Sequence, residues 1–262
     1  MNAPPKIELR KVSKKFGSKV VLRELDLVVN AGESLVILGG SGSGKSVLIK
    51  CILGIIPPDA GTILIDGVDV THLRGRHRDA LLKRFGMLFQ GGALFDSLTV
   101  WENVAFGLVQ GRGICPKEAK KIALQKLARV GLSADVGELS PAELSGGMQK
   151  RVGLARATAA NPEVIFFDEP TTGLDPIMAD VINNLIVSTV RDSGVTAVSI
   201  THDIASARKI STRIAMIFDG KIVWEGPTAQ VGESGNPYVD QFIHGRATGP
   251  IQMDVAYQVQ RA

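Results

Sequence analysis

The sequence predicts an α/β protein: an open sheet flanked by helices, a β-rich antiparallel beginning, and a helical segment inserted midway. Three observations carry this prediction. The first is the run Gly39-Gly40-Ser41-Gly42-Ser43-Gly44-Lys45-Ser46, set between an apolar stretch, Ser34 to Leu38, and a helical one, Val47 to Leu53. Strand, glycine loop and helix in that order form a phosphate cradle. The second is Val164-Ile165-Phe166-Phe167 followed at once by Asp168-Glu169, a buried strand that delivers two carboxylates at its C-terminal end. Ligands bind beyond that end in open α/β sheets. The third is a change of texture from about Gly91 to Leu144, where helical spacing replaces strand-like runs.

Taken in order, Ile7 to Arg10 and much of Val20 to Val29 alternate apolar and polar, as antiparallel strands with one buried face do. Phe16, on the loop expected between them, reads either as core or as an aromatic that stacks on adenine. Pro57 to Gly61 is a turn and Thr62 to Gly67 a strand ending in another. Arg74 to Arg84 is basic with a weak Leu81-Leu82 stripe, the pattern of a solvated helix face. Phe85 to Phe89 is a buried strand that places Gln90 at its C-terminal end. Helices follow at Val100 to Val109 and Pro116 to Val130, with Leu124, Leu127 and Val130 on one side. Another, Met148 to Ala160, opens after Glu143-Leu144-Ser145-Gly146-Gly147, a second candidate anion site at a helix start. Thr196 to Ile200 is a further buried strand, leading to Thr201-His202-Asp203. Ile214 to Phe218 and Lys221 to Glu225 form a hairpin about Asp219-Gly220.

The residue types explain the chemistry. Gly39 to Ser46 fits G-x-x-x-x-G-K-[ST], the P-loop. Phosphate oxygens approach the backbone closely there, so side chains must be small or absent, and the amides about Gly42 and Gly44 point at the ligand. Lys45 reaches the β- and γ-phosphates, and the Ser46 hydroxyl is placed to ligate Mg²⁺. An unpaired buried carboxylate is costly, so two adjacent acids near a P-loop indicate a task. Asp168 is read as holding Mg²⁺ through water, Glu169 as orienting or deprotonating the attacking water, and His202 as a γ-phosphate contact.

Composition bounds the rest. The 262 residues suffice for one large or two small domains. With 21% charged and 45% hydrophobic residues the chain has the make-up of a globular protein. A net charge of +4 does not by itself argue for nucleic-acid binding. The two cysteines, Cys51 and Cys115, have no metal-like pairing, which fits a reduced, cytosolic setting. No run approaches the roughly 18 to 20 apolar residues of a membrane span, and Met1 to Lys6 has no apolar signal core. Work at a membrane then requires another chain to cross it.

In their order, these motifs resemble the ATP-binding cassette family over about residues 7 to 243. Gly39 to Ser46 matches its Walker A motif, Gln90 its Q-loop and Val164 to Asp168 its Walker B motif. Glu169 matches the catalytic glutamate, Thr172-Gly173-Leu174-Asp175 the D-loop and His202 the switch histidine. Leu144-Ser145-Gly146-Gly147-Met148 matches the signature, with Met148 departing at the last position. Phe16 falls at the A-loop aromatic, which favours adenine stacking. The resemblance implies an ATPase with a P-loop NTPase core, an antiparallel β-subdomain and an inserted α-helical subdomain. It places the core at about 1–90 and 160–244, the helical subdomain at about 91–159 and a C-terminal extension at 245–262. ATP would contact Phe16, Gly39 to Val47 and Gln90, with Ser46, Gln90 and Asp168 at Mg²⁺. Lys45, Glu169 and His202 would be catalytic. Since one chain carries one P-loop and one signature, two copies would pair head to tail, with Ser145, Gly146, Gly147, Met148 and Asp175 acting across the pair.

A narrower resemblance rests on Phe89 to Val104, on Gly44 to Leu48 and on Met148 to Arg156. These look like the cassettes of the maintenance-of-lipid-asymmetry or toluene-tolerance group, which energise phospholipid trafficking. It implies a membrane permease, a periplasmic MCE-type lipid-binding protein, often a small STAS-domain subunit, and a place on the cytoplasmic side of the inner membrane. A polar-solute importer and a non-transport cassette remain as alternatives. Arg74 to Glu143 lacks the sustained heptads of a DNA-repair coiled coil, so no nucleic-acid partner is expected. Part of the stretch holding Leu94, Phe95, Leu98 and Trp101 is expected to form a groove that receives a permease helix. Ile251 to Gln260 alternates with period two, as a segment docking on a partner cassette or accessory subunit would.

Overall fold

Alternation of apolar residues builds two sheets. In this computed structural model, which describes residues 4–252, the chain opens with β1 (Ile7–Phe16) and β2 (Lys19–Val29), an antiparallel pair. Then come β3 (Ser34–Leu38), the P-loop, and α1 (Lys45–Ile52). Strands β4 (Ala60–Ile65) and β5 (Val68–Asp69) precede α2 (Gly75–Leu82) and β6 (Phe85–Leu88). Three helices follow: α3 (Val100–Phe106), α4 (Pro116–Arg129) and α5 (Gly146–Thr158). The chain continues through β7 (Val164–Asp168), α6 (Pro176–Ser193), β8 (Thr196–Thr201) and α7 (Ile204–Ile210). It ends in the hairpin β9 (Arg213–Phe218) and β10 (Lys221–Pro227), then α8 (Pro237–Ile243).

One sheet has the order β2-β1-β4-β5 and is antiparallel throughout. The other has the order β10-β9-β3-β8-β7-β6, parallel except for the β10 edge. Helices α3 to α5 therefore lie within the crossover between the neighbouring parallel strands β6 and β7. Period-two alternation sends Leu35 and Ile37 to one face of the parallel sheet and Val36 and Leu38 to the other. The first face packs with α1 and the antiparallel sheet; the second packs with the helices after β6. Both faces are covered, which accounts for the fully apolar run Val164 to Phe167.

Several local expectations shift. Phe16 is not on a loop but ends β1, paired with Lys19 across the hairpin. The buried face of α4 is Ala119, Ala123 and Leu127, while Leu124 is only partly buried. Helix α3 gives way after Phe106 to a π-helical turn, Gly107–Gly111. The expected helix at 74–84 is the exposed α2, with Leu81 alone buried. The tail alternation lies outside the described residues from residue 253 onward. Ile251 is held by Gln241, whose Oε1 accepts its N–H at 2.7 Å and whose Nε2 donates to its carbonyl at 2.9 Å.

Candidate functional site

The parallel strands bring the C-terminal ends of β3, β8, β7 and β6 to one edge, and the predicted residues gather there. Two glycines are fixed by space. A Cβ on Gly39 would lie 2.6 Å from the Ile217 carbonyl, and one on Gly44 2.9 Å from that of Val21. Gly44 also has φ 105°, a conformation side chains rarely allow. Beyond them, Phe16, Lys19 and Val21 join Gly42 to Val47 around a cavity of about 380 Å³. Phe16 is 48% exposed, with Lys14 Nζ over its ring at 5.5 Å from the centroid. The α1 N-terminus, Ser46 and the loop amides close the other side, a cradle suited to a nucleotide's phosphates.

Lys45 is buried, and its ammonium donates to the carbonyls of Gly39 at 2.7 Å and Gly40 at 2.9 Å. Burial lowers its pKa; the charges of Glu169 and Asp168 oppose that shift. Asp168 moves the other way. Burial first and the neighbouring Glu169 second raise its carboxyl, while Lys50, Lys45 and Lys150 pull it down. Its buried Oδ1 has no hydrogen-bond partner. Such an orphaned acceptor, under the charge of Lys45 from the phosphate cradle, fits a hard cation bound partly through water. Among the described residues no group of three His, Cys, Asp or Glu side chains could hold a metal alone.

Glu169 is the most constrained side chain here. It has φ 48° and is only 9% exposed. Thr172 Oγ1 donates to its Oε2 at 3.1 Å, Thr201 Oγ1 donates at 3.2 Å, and His202 Nδ1 stands 3.0 Å from Oε1. Lys45 Nζ is 3.9 Å from Oε1. Three segments, after β3, β7 and β8, thus meet on one carboxylate. His202 itself is largely exposed and engages Glu169 directly. Thr172 and Thr201 fall within motifs the sequence shows, but their hold on Glu169 gives no sequence signal, because a threonine's target is set only when the fold aims it.

Gln90 is exposed beyond β6, and its carbonyl accepts from Lys150. Ser145 to Met148 do not line the phosphate cavity. Ser145 caps α5, accepting from the Met148 N–H at 3.3 Å, and Gly146 is exposed. Gly147 is buried because Met178 of α6 packs onto it: an added Cβ would meet Met178 Cγ and Sδ at 2.8 Å. The Met148 side chain is partly buried against the core, so its departure from the signature falls on an inward-facing position. Asp175 caps α6 through the N–H groups of Ile177 and Met178, both at 3.0 Å.

The chain's wider likeness agrees with this geometry. A family profile described as ABC transporter matches residues 22–172. The probable ribonucleotide transport ATP-binding protein mkl of Mycobacterium tuberculosis is 39% identical over 247 residues, covering 94% of this chain and 68% of that protein. The intermembrane phospholipid transport system ATP-binding protein MlaF of Haemophilus influenzae is 39% identical over 246 residues, covering 94% and 93%. The glutamine transport ATP-binding protein GlnQ of Escherichia coli is 40% identical over 233 residues, covering 89% and 92%. Among solved structures, the dimeric, post-hydrolysis state of the ATP-binding cassette MJ0796 bound to ADP and Pi superposes with a TM-score of 0.78. It shares 34% identity and covers 85% of this chain and 98% of that one. A phosphate cradle, a clamped glutamate and a family match across more than half its length place this chain in the ABC transporter family, as an ATP-hydrolysing cassette.

Proposed function

We propose that this cassette drives phospholipid movement between the inner and outer membranes. Its partners would be a membrane permease, an MCE-type lipid-binding protein and, in some assemblies, a small STAS-domain subunit. The observation that carries the lipid reading is the likeness to MlaF across 93% of that protein. The site itself handles only ATP. The likeness to a glutamine transport cassette favours a second reading, a polar-solute importer. No helix among the described residues is long and apolar enough to cross a membrane. Attachment to the cytoplasmic face of the inner membrane would run through the permease.

The geometry supports a cycle of ATP binding and hydrolysis. Adenine stacks on Phe16, and the amides of Gly39 to Val47 hold the phosphates. Ser46, Asp168 and Gln90 would hold Mg²⁺, which when bound neutralises charge on the β- and γ-phosphates. Lys45 adds a fixed positive charge. Glu169, clamped by two threonine hydroxyls and engaged by His202, would orient the attacking water. Ser145 and the Gly146 and Gly147 amides, capped and rigid on α5, would meet the γ-phosphate held by a second copy. Each half-site is incomplete alone, so ATP joins two copies head to tail and hydrolysis releases them. No nucleic acid enters this scheme.

Purifying the chain with its native membrane partners and identifying what co-purifies separates the two readings. Phospholipid bound in near-stoichiometric amount supports the lipid reading; an amino acid or metal-ion cargo with no bound lipid overturns it.

A further inference from the structure

Lys150 lies on α5, five residues beyond Ser145, and is only 4% exposed. Lysine is rarely buried so completely, because its charge must leave water. Here it forms no ion pair among the described residues. Its ammonium instead donates to two backbone carbonyls, that of Gln90 and, at 3.4 Å, that of Glu169. Those carbonyls follow β6 and β7, neighbouring parallel strands, so one side chain spans both strand ends. Burial lowers the lysine's pKa, while Asp168 and Glu169 hold its charge in place.

The same helix grips the Q-loop again. Arg156, two turns on, donates to the carbonyls of Ala93 at 2.8 Å and Gly92 at 2.5 Å. Gly92 lies against Gln149 and Gly153: an added Cβ would meet the Gln149 carbonyl at 3.2 Å, and one on Gly153 the Gly92 Cα at 3.5 Å. Residues 90–93 are therefore carried on α5 as one body with Ser145 at its N-terminus.

We propose that Lys150 is a positioning residue linking the two halves of the active machinery borne by one chain. It ties Gln90 and Glu169, which serve the chain's own nucleotide, to the signature helix, which serves the nucleotide of the partner copy. This rests on the head-to-tail pairing proposed above. Binding at one site then biases the other, because a displacement of residues 90–93 or 169 carries α5 with it. The Lys150 ammonium sets the registry of that helix. Its removal leaves the phosphate loop intact but unties the two sites.

The test uses the full-length chain and compares K150M, which keeps the stem without charge or donor, with K150Q, which keeps an N–H donor. ATPase rate is measured against ATP concentration, beside ATP affinity and melting temperature. For K150M we expect kcat to fall about tenfold, KM to stay within about twofold, and the Hill coefficient to drop from above 1 to about 1. K150Q should restore part of both kcat and cooperativity. Wild-type kcat and cooperativity in K150M would overturn the proposal. So would a non-cooperative wild type, a loss that follows melting temperature and ATP affinity in parallel, or failure of both variants to fold. ATP-driven pairing of E169Q, read by size-exclusion chromatography, separates the two claims. If E169Q stays monomeric with ATP, the pairing itself fails. If it pairs while K150M remains cooperative, only the lysine link fails.

Discussion

Glu169 holds a backbone conformation, φ 48°, that most side chains avoid, and its carboxylate is aimed by Thr172, Thr201 and His202. A non-glycine residue in that region costs roughly 1–3 kcal/mol and persists only where its surroundings over-determine it. Here they do: its N–H also donates to the Ile200 carbonyl at 3.0 Å, locking the start of the turn to β8. The strain turns the side chain back over the strand ends rather than out along β7. Replacing Glu169 with Gln keeps this shape and removes the base. Glu169→Gln should bind ATP with near-unchanged affinity while hydrolysis falls by about 10²- to 10⁴-fold. Steady-state ATPase and nucleotide-binding assays on the same preparation check this. Near-wild-type hydrolysis would remove Glu169 from the role proposed for it.

Between elements, a four-charge cluster joins the two sheets. Arg84, just before β6, pairs with Glu163, just before β7, at 2.6 Å, and with Asp66 in the β4–β5 turn. Lys6, before β1, pairs with Glu163 at 2.6 Å and Asp66 at 3.1 Å. Hydrogen bonds from Arg84 and then Lys6 pull the Glu163 carboxyl from 4.5 to about 2. Because the folded value lies below the unfolded one, this stabilisation is present above pH 4.5 and is lost as pH falls toward 2. Glu163 is 48% exposed, so solvent screens the pairs and the effect stays modest. Glu163→Gln should flatten the decline of melting temperature between those two pH values, measured at low ionic strength. An unchanged slope would show that other carboxylates carry it. These contacts were not legible in the sequence, since Lys6, Asp66, Arg84 and Glu163 are scattered surface charges until the sheets bring them together. The same holds for Lys150, whose partners are backbone carbonyls from two distant segments. The glycine run and the Asp168-Glu169 strand end were legible, because each signal is contiguous and its chemistry demands those residue types. The π-turn at Gly107–Gly111 left no periodic trace to read.

At the scale of the whole molecule, an apolar groove opens beside Gln90. Phe85, Met87, Phe89, Phe95 and Phe106 line a cavity of about 640 Å³ bordered by α5. Phe89, Phe95 and Phe106 remain 40%, 44% and 38% exposed, and the rings of Phe95 and Phe106 lie 4.6 Å apart. The sequence placed this surface on Leu94, Phe95, Leu98 and Trp101. Of these only Phe95 is exposed; Leu94 and Trp101 pack on the core, and Lys120 lies over the Trp101 ring at 5.1 Å. Phe95 is joined there by Phe85 of β6, Phe89 just beyond it and Phe106 at the end of α3, which sequence order separates and the fold reunites. Exposed aromatics clustered this way are costly in water unless a partner covers them. Under the proposed function, the occupant is a cytoplasmic helix of the permease. The groove floor, β6, leads directly into Gln90, so movement at the nucleotide is felt where that helix sits. A carboxylate at Phe95 would set a charge among the exposed rings of Phe89 and Phe106 and disfavour an apolar helix face there, without touching the phosphate loop. Phe95→Asp should therefore leave the ATPase of the isolated chain within about twofold of wild type. In the reconstituted complex it should abolish ATP-driven lipid transfer between vesicles and loosen the permease on co-purification. ATPase and transfer falling together in the isolated chain and the complex alike would assign Phe95 to the hydrolytic machinery. Transfer at the wild-type rate would mean that the permease docks elsewhere.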